Sequence, residues 1–126
     1  MMTPAELRTA HDSLGISTEL LAERAGYSVQ MIWRYESPSR TEPVPERVEE
    51  AVRDMLNDFT VATERIAAEV IESGEAIPRY TSTEAADAAV PELAGWGARS
   101  HGLLVAAVLR EINAAPHATD APIQYV

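Results

Sequence analysis

Gln30 and Arg34 end in planar, two-pronged polar groups and stand four positions apart in the chain. On a helix, that spacing puts both on one face. An amide can hydrogen-bond adenine through a donor and an acceptor together, and a guanidinium can hold guanine through two donors. Val29 and Trp33 share the surface with them. The valine suits a thymine methyl group. The tryptophan either packs against the helix that follows or makes apolar contact with a base or sugar. Ser28, Thr18 and Arg40 are candidates for phosphate contact. Arg40 lies in the proline-rich stretch Ser37–Pro45, where a solvated loop arginine is the alternative.

Other chemistry finds less material. The histidines at 11, 101 and 117 show no metal-ligand spacing, and there is no cysteine to supply thiolates or disulfides. Ser100 and His101 are adjacent, and adjacent helical residues point in different directions, so they suggest no nucleophile and base. Gly95-x-Gly97 lacks the third glycine of a phosphate loop and reads as a turn. Glu49 and Glu50 read as surface carboxylates. No enzyme activity, metal or cofactor is expected.

The element that would position Gln30 and Arg34 is the stretch Ser17–Glu36, two short helices joined by a tight turn. Ser17 and Ser28 can cap the helices, because a serine hydroxyl accepts from a free amide of the first turn. Gly26 stands where the first helix needs a left-handed residue to stop. Leu21, Ala22 and Ala25 fall on one face of the first helix, Ile32 and Tyr35 on one face of the second. With those faces turned inward, Val29, Gln30, Trp33 and Arg34 point away. That is the layout of a helix-turn-helix, whose second helix enters the major groove.

Leu14-Gly15-Ile16-Ser17, then Leu20–Ser28, then Val29–Glu36 resemble the helix-turn-helix of the phage repressor and Cro (XRE) family. That family shows LG-x-[ST], an LA pair, G-x-S and a helix closing on [WY]-E. The resemblance covers roughly residues 3–57 and departs from the pattern at Leu20, usually polar, and at Trp33, usually smaller. It implies a repressor that binds double-stranded DNA.

Composition bounds the rest. The chain has 126 residues, enough for one domain or two small ones, and 46% of them are hydrophobic. No apolar run reaches membrane-spanning length and no charged-then-apolar leader opens the chain, so a cytoplasmic protein with no membrane partner is expected. The net charge of −10 opposes a DNA-binding reading, because affinity rests on phosphate neutralisation. The charge is uneven, however. Residues 1–40 carry four arginines and five acidic groups, whereas residues 41–75 carry three and ten. The acidity therefore lies behind the proposed DNA face, and few phosphate contacts per subunit are expected.

In chain order, Thr3–Glu6 reads as a capping box with proline at the first helical position. Leu7, Ala10, His11 and Leu14 fall on one side of that helix, and His11 reads as a scaffold residue. Pro43 or Pro45 opens a longer pattern, with Val48, Val52, Met55, Phe59, Ala62, Ile66 and Val70 in a near-heptad stripe. Asn57-Asp58 is a candidate interruption. Residues 76–80 read as an extended segment in which Pro78 fits only an edge strand. Thr81–Glu84 reads as a second capping box, opening a short alanine-rich helix that stops near Pro91. A helix follows from about Ala98 to Asn113, then a loop at His117–Pro122 and a terminal strand at Ile123–Val126. The strand can pair with 76–80.

The fold class expected is mainly α: a helix-turn-helix domain of four to five helices over 1–57, a connecting helix over 58–75, and a small helical region with a short two-stranded sheet over 76–126. The long acidic helix, the Pro78-Arg79-Tyr80 strand, the Gly95-Trp96 turn and the Ser100-His101 helix together resemble the YdiL-like regulators, a group that takes in the autorepressors of anti-CRISPR operons. That resemblance implies a C-terminal homodimer interface. The candidates for it are Leu103, Leu104, Val108, Ile112, Ile123 and Tyr125. The expected function is a phage or mobile-element repressor that binds a palindromic operator as a homodimer. The alternative is a protein-interaction module, such as the antitoxin of a toxin pair or a phage protein that captures a host factor.

Overall fold

The computed structural model describes residues 1–114 and 122–126. The chain forms two compact units, Met1–Asn57 and Asp58–Val126.

The first unit begins with α1 (Pro4–Leu14). Its capping box closes reciprocally: the Glu6 N–H donates to Thr3 Oγ1 at 3.1 Å and the Thr3 N–H to Glu6 Oε1 at 3.2 Å. Gly15 stops the helix at φ 65°. Ser17 then caps α2 (Thr18–Ala25) by accepting from the Leu20 N–H at 3.0 Å. Ser28 caps α3 (Val29–Tyr35) in the same way, accepting from the Met31 N–H at 3.2 Å. Between α2 and α3, Gly26 adopts φ 76°, a left-handed conformation that a side chain disfavours. Leu7, Leu14, Leu21, Ile32, Val48, Val52 and Met55 form the fully buried core of this unit. Met2 is also buried, and its carbonyl accepts from the Val44 N–H at 2.9 Å, which ties the stretch after α3 to the start of the chain.

The helix α4 runs without a break from Glu46 to Ser73. Asn57 and Asp58 do not interrupt it, so there is no separate connecting helix. Both residues keep helical hydrogen bonding, and the buried stripe continues past them through Ala62, Ile66 and Val70. A continuous apolar stripe outweighs the weak helix preference of one Asn-Asp pair.

In the second unit, strand β1 (Ile77–Arg79) pairs in parallel with β2 (Ile123–Tyr125), with Ile77 opposite Ile123 and Arg79 opposite Tyr125. The Ile77 N–H donates to the Pro122 carbonyl at 2.8 Å, and the Val126 N–H donates to the Arg79 carbonyl at 3.0 Å. Pro78 lies between these two bonding residues, so its missing N–H costs the ladder nothing. Helix α5 (Thr83–Ala89) is followed by a single 3₁₀ turn at Pro91–Leu93 and then by α6 (Ala98–Asn113). The α5 cap is Ser82, whose hydroxyl accepts from the Ala85 N–H at 3.2 Å. The expected Thr81–Glu84 box does not form, because the Thr81 hydroxyl donates to the Val126 carbonyl at 3.0 Å instead. Ile77, Leu93, Val108 and Ile112 lead the core here, with Ser100 buried among the helical residues. Of the loop expected at His117–Pro122, all but Pro122 lies outside the described residues.

Candidate nucleic-acid interface

The inward faces of α2 and α3 are the ones read from the sequence: Leu21, Ala22, Ala25, Ile32 and Tyr35 are all buried. The outward face of α3 follows from them. Gln30, Trp33 and Arg34 are exposed and Val29 is half-buried. Trp33 is 58% exposed, so more than half of its side chain is open to a partner. Arg34 makes one weak contact, from Nη1 to Met31 Sδ at 3.9 Å, which leaves its planar face and remaining donors free. Among the described residues, no carboxylate lies within salt-bridge distance of Arg34 or of Arg24 in the last turn of α2. Ser28 spends one lone pair on the α3 cap and keeps its O–H proton to donate. Thr18 is half-buried at the start of α2.

Arg40 is more enclosed than a solvated loop arginine. Its guanidinium lies over the Tyr35 ring, 4.8 Å from the centroid, and its side chain is only 23% exposed. Nη2 donates to the Pro43 carbonyl at 3.4 Å and lies 3.5 Å from Glu42 Oε2, while Nε is buried without a partner. Tyr35 in turn meets Tyr27 edge-on, at 5.3 Å and 85°, and Arg47 lies 5.1 Å from the Tyr27 centroid. Arg47 Nη2 also donates to the Gly26 carbonyl at 3.4 Å. The result is a ladder of two guanidiniums and two rings joining α3, the α2–α3 turn and the first turn of α4. Cation–π attraction and edge-to-face geometry hold each rung. Arg40 is therefore a bracing residue, and Arg24 and Arg34 are the cations left over on α2 and α3.

His11 and Glu36 form the second brace. His11 Nδ1 lies 2.6 Å from Glu36 Oε1, and Nε2 lies 3.0 Å from the Ile16 carbonyl oxygen. A carbonyl only accepts, so Nε2 carries a proton. Arg8 Nη1 adds a longer bond to Glu36 Oε2 at 3.5 Å. One buried imidazole thus links α1, the turn before α2 and the end of α3. Glu36 is marked in the sequence only by its place in the closing Tyr35-Glu36 pair. Arg47 and Tyr27 carry no signal of their own, since their pairing crosses from one element to another.

The six candidates for a dimer surface divide. Leu104, Val108 and Ile112 are each no more than 3% exposed within a single chain, so they require no second copy to cover them. They belong to the core of the second unit, whose small size makes every large α6 side chain useful inside. Leu103 is half-buried. Ile123 and Tyr125 on β2 are exposed, as is Val126 just after it.

Among the described residues no cluster of three potential metal ligands occurs, and no helix is long and apolar enough to cross a membrane. No protein-family model matches the chain, and no curated protein is similar to it in sequence.

Proposed function

We propose that the protein is a sequence-specific DNA-binding repressor of phage or mobile-element type, acting from the cytoplasm as a homodimer on an inverted-repeat operator. The observation that carries this reading is the outward face of α3. It presents Gln30 and Arg34 together, with Arg34 free of any carboxylate, on a helix whose other face is fixed by Ile32 and Tyr35. A helix held rigidly by its inner face and bearing two planar bidentate groups suits base-edge reading in the major groove. The first-turn hydroxyls of Thr18 and Ser28 add phosphate donors at two helix starts. Ile123 and Tyr125 are exposed apolar residues that a second copy would cover. Selection of bound fragments from a random DNA pool tests the reading. Recovery of a palindrome with half-sites about one helical turn apart supports it. Recovery of no common sequence refutes it.

The exposure of Trp33 favours one other reading, that of a protein-interaction module, because tryptophan is a frequent anchor of protein interfaces. In that case Trp33→Ala abolishes partner capture, and the protein shows no preferred DNA sequence.

A further inference from the structure

Strand β2 is bonded along one edge. Its sheet has two strands, and among the described residues no strand pairs with the far side of β2. In a parallel pair, alternate residues turn their backbone groups toward the neighbour. The Ile77 N–H reaches the Pro122 carbonyl, the Val126 N–H reaches the Arg79 carbonyl, and the Val126 carbonyl accepts from the Thr81 N–H. Positions 122, 124 and 126 therefore face β1. The N–H and C=O groups of Ile123 and Tyr125 point the other way, along the open edge. Their side chains share one face of the strand, because side chains alternate. Ile123 is 45% exposed and Tyr125 is 73% exposed.

Proteins usually blunt such an edge with charge, with proline or with a covering element. The sequence of β2 is Ile-Gln-Tyr, which contains neither a charge nor a proline. An open, uncharged edge of this kind accepts another extended strand. Geometry then selects which strand. Two copies of β2 running antiparallel about a two-fold axis at Gln124 place Ile123 of each opposite Tyr125 of the other. Both members of such a pair carry outward N–H and C=O groups, so they exchange both hydrogen bonds. Their side chains stand on the same face, and a β-branched residue opposite an aromatic one is a favoured cross-strand pair. A slip of one residue sets outward groups against inward ones and loses the ladder. The edge is thus complementary to itself in one register, as a two-fold interface requires.

We propose that β2 pairs with β2 of a second copy, antiparallel and centred on Gln124. The two sheets then join into one, with strand order β1-β2-β2-β1. This rests on the homodimer of the proposed function and names its contact. Strands this short bury less surface than a tight interface needs, so the dimer forms with a dissociation constant in the micromolar range.

The experiment uses single cysteines, since the chain has none of its own. Gln124 is exposed and lies on the axis as a non-hydrogen-bonded pair, with its Cα about 4.5 Å from that of its copy, within disulfide reach. Val126 lies about 13 Å from its own copy along the strands, beyond that reach. Mild oxidation at tens of micromolar chain, without DNA, should link most of Gln124→Cys into dimers and link Val126→Cys about five-fold less or lower. Hydrogen exchange on the parent chain gives a second measurement without substitution. The Ile123 and Tyr125 amides should gain protection as concentration rises through the micromolar range. Three results overturn the proposal: a chain that stays monomeric at a hundred micromolar, equal linking at 124 and 126, or a dimer whose Ile123 and Tyr125 amides exchange as freely as in the dilute chain. The last of these leaves the repressor reading standing, because a dimer joined elsewhere still reads a palindrome. Linking at 124 in a chain that selects no DNA sequence supports the pairing and sinks the repressor reading instead.

Discussion

Three residues of the first unit bear distinct kinds of consequence. Arg34 reads bases in the proposed function, so Arg34→Ala should weaken specific binding by about ten-fold to over a hundred-fold, the worth of one bidentate base contact. Its thermal midpoint should stay within error of the parent, because Arg34 has only Met31 to lose. Competition with single-base operator variants measures the first and a melting curve the second. His11 predicts the opposite pattern. His11→Ala leaves the buried Glu36 side chain with only the long bond to Arg8, and a buried acceptor deprived of its partner costs about 1–3 kcal/mol. Urea titration should show that loss, and His11→Ala with Glu36→Leu together should recover part of it. Gly26 is constrained by its backbone. Its left-handed conformation disfavours any side chain, and a methyl group there would also push aside the flexible Arg47 guanidinium. Gly26→Ala should therefore destabilise by at least 1–2 kcal/mol, roughly the cost of the left-handed conformation alone.

At the scale of elements, the caps and periodicities of α1, α2 and α3 were legible in the sequence because each depends on residues within a turn of one another. Thr3 with Glu6, Ser17, Gly26 and Ser28 all act where their types suggest. The calculation of inward and outward faces held for the same reason. Long-range partners decided what the sequence did not show. Thr81 leaves its expected cap for Val126, Arg40 leaves the loop for the Tyr35 ring, and the stripe carries α4 through Asn57-Asp58. Leu104, Val108 and Ile112 look alike in sequence whether they face a core or a partner. The ring ladder gives a test at this scale. Arg40→Ala should cost about 0.5–2 kcal/mol through the lost cation–π contact and leave the salt dependence of DNA binding unchanged. A reduced salt slope would mean that Arg40 reaches phosphate after all. The Arg65–Glu92 pair makes a second test. Arg65 Nε and Nη2 each lie 2.8 Å from a Glu92 oxygen, joining α4 to the 3₁₀ turn. The Arg65 guanidinium holds the Glu92 carboxyl below its ordinary value, against the opposing effect of burial. The pair's contribution is thus present above the ordinary carboxylate range and lost as the pH falls through and below it. Between neutral pH and about pH 3, the parent should lose more stability than Glu92→Gln does, with the difference confined to the acid limb.

For the molecule as a whole, a net charge of −10 and a proposed DNA face have to coexist. Of the six arginines in the first unit, Arg8, Arg40 and Arg53 have carboxylate neighbours and Arg47 lies on Tyr27. Arg24 and Arg34 remain as the cations that displace counterions from DNA, Arg24 at the backbone and Arg34 from within the groove. With about two such contacts per subunit, the log–log slope of affinity against salt for a dimer should be roughly −4, far shallower than for strongly basic repressors. Filter binding across a salt series measures it. A slope more than twice as steep would require cations from outside α2 and α3. The proposed second copy meets the chain at the terminal strand, so Tyr125→Glu should convert a dimer to a monomer in light scattering at micromolar concentration.

The parallel pairing of β1 with β2 also sets a folding order. The two strands lie on either side of α5 and α6 in the chain, so their register closes only after a long loop has been drawn together. Helices α4 and α6 form from neighbouring residues and need no such closure. Contacts of long sequence separation form late, because the entropy of closing the loop is spent before any bond rewards it. Strand β2 is three residues long and exposed throughout, so little holds it once it opens. The Val126 and Thr81 amides, which bond across this junction, should therefore exchange with solvent deuterium well before the α4 amides do. In refolding, they should also be the last of the second unit to gain protection.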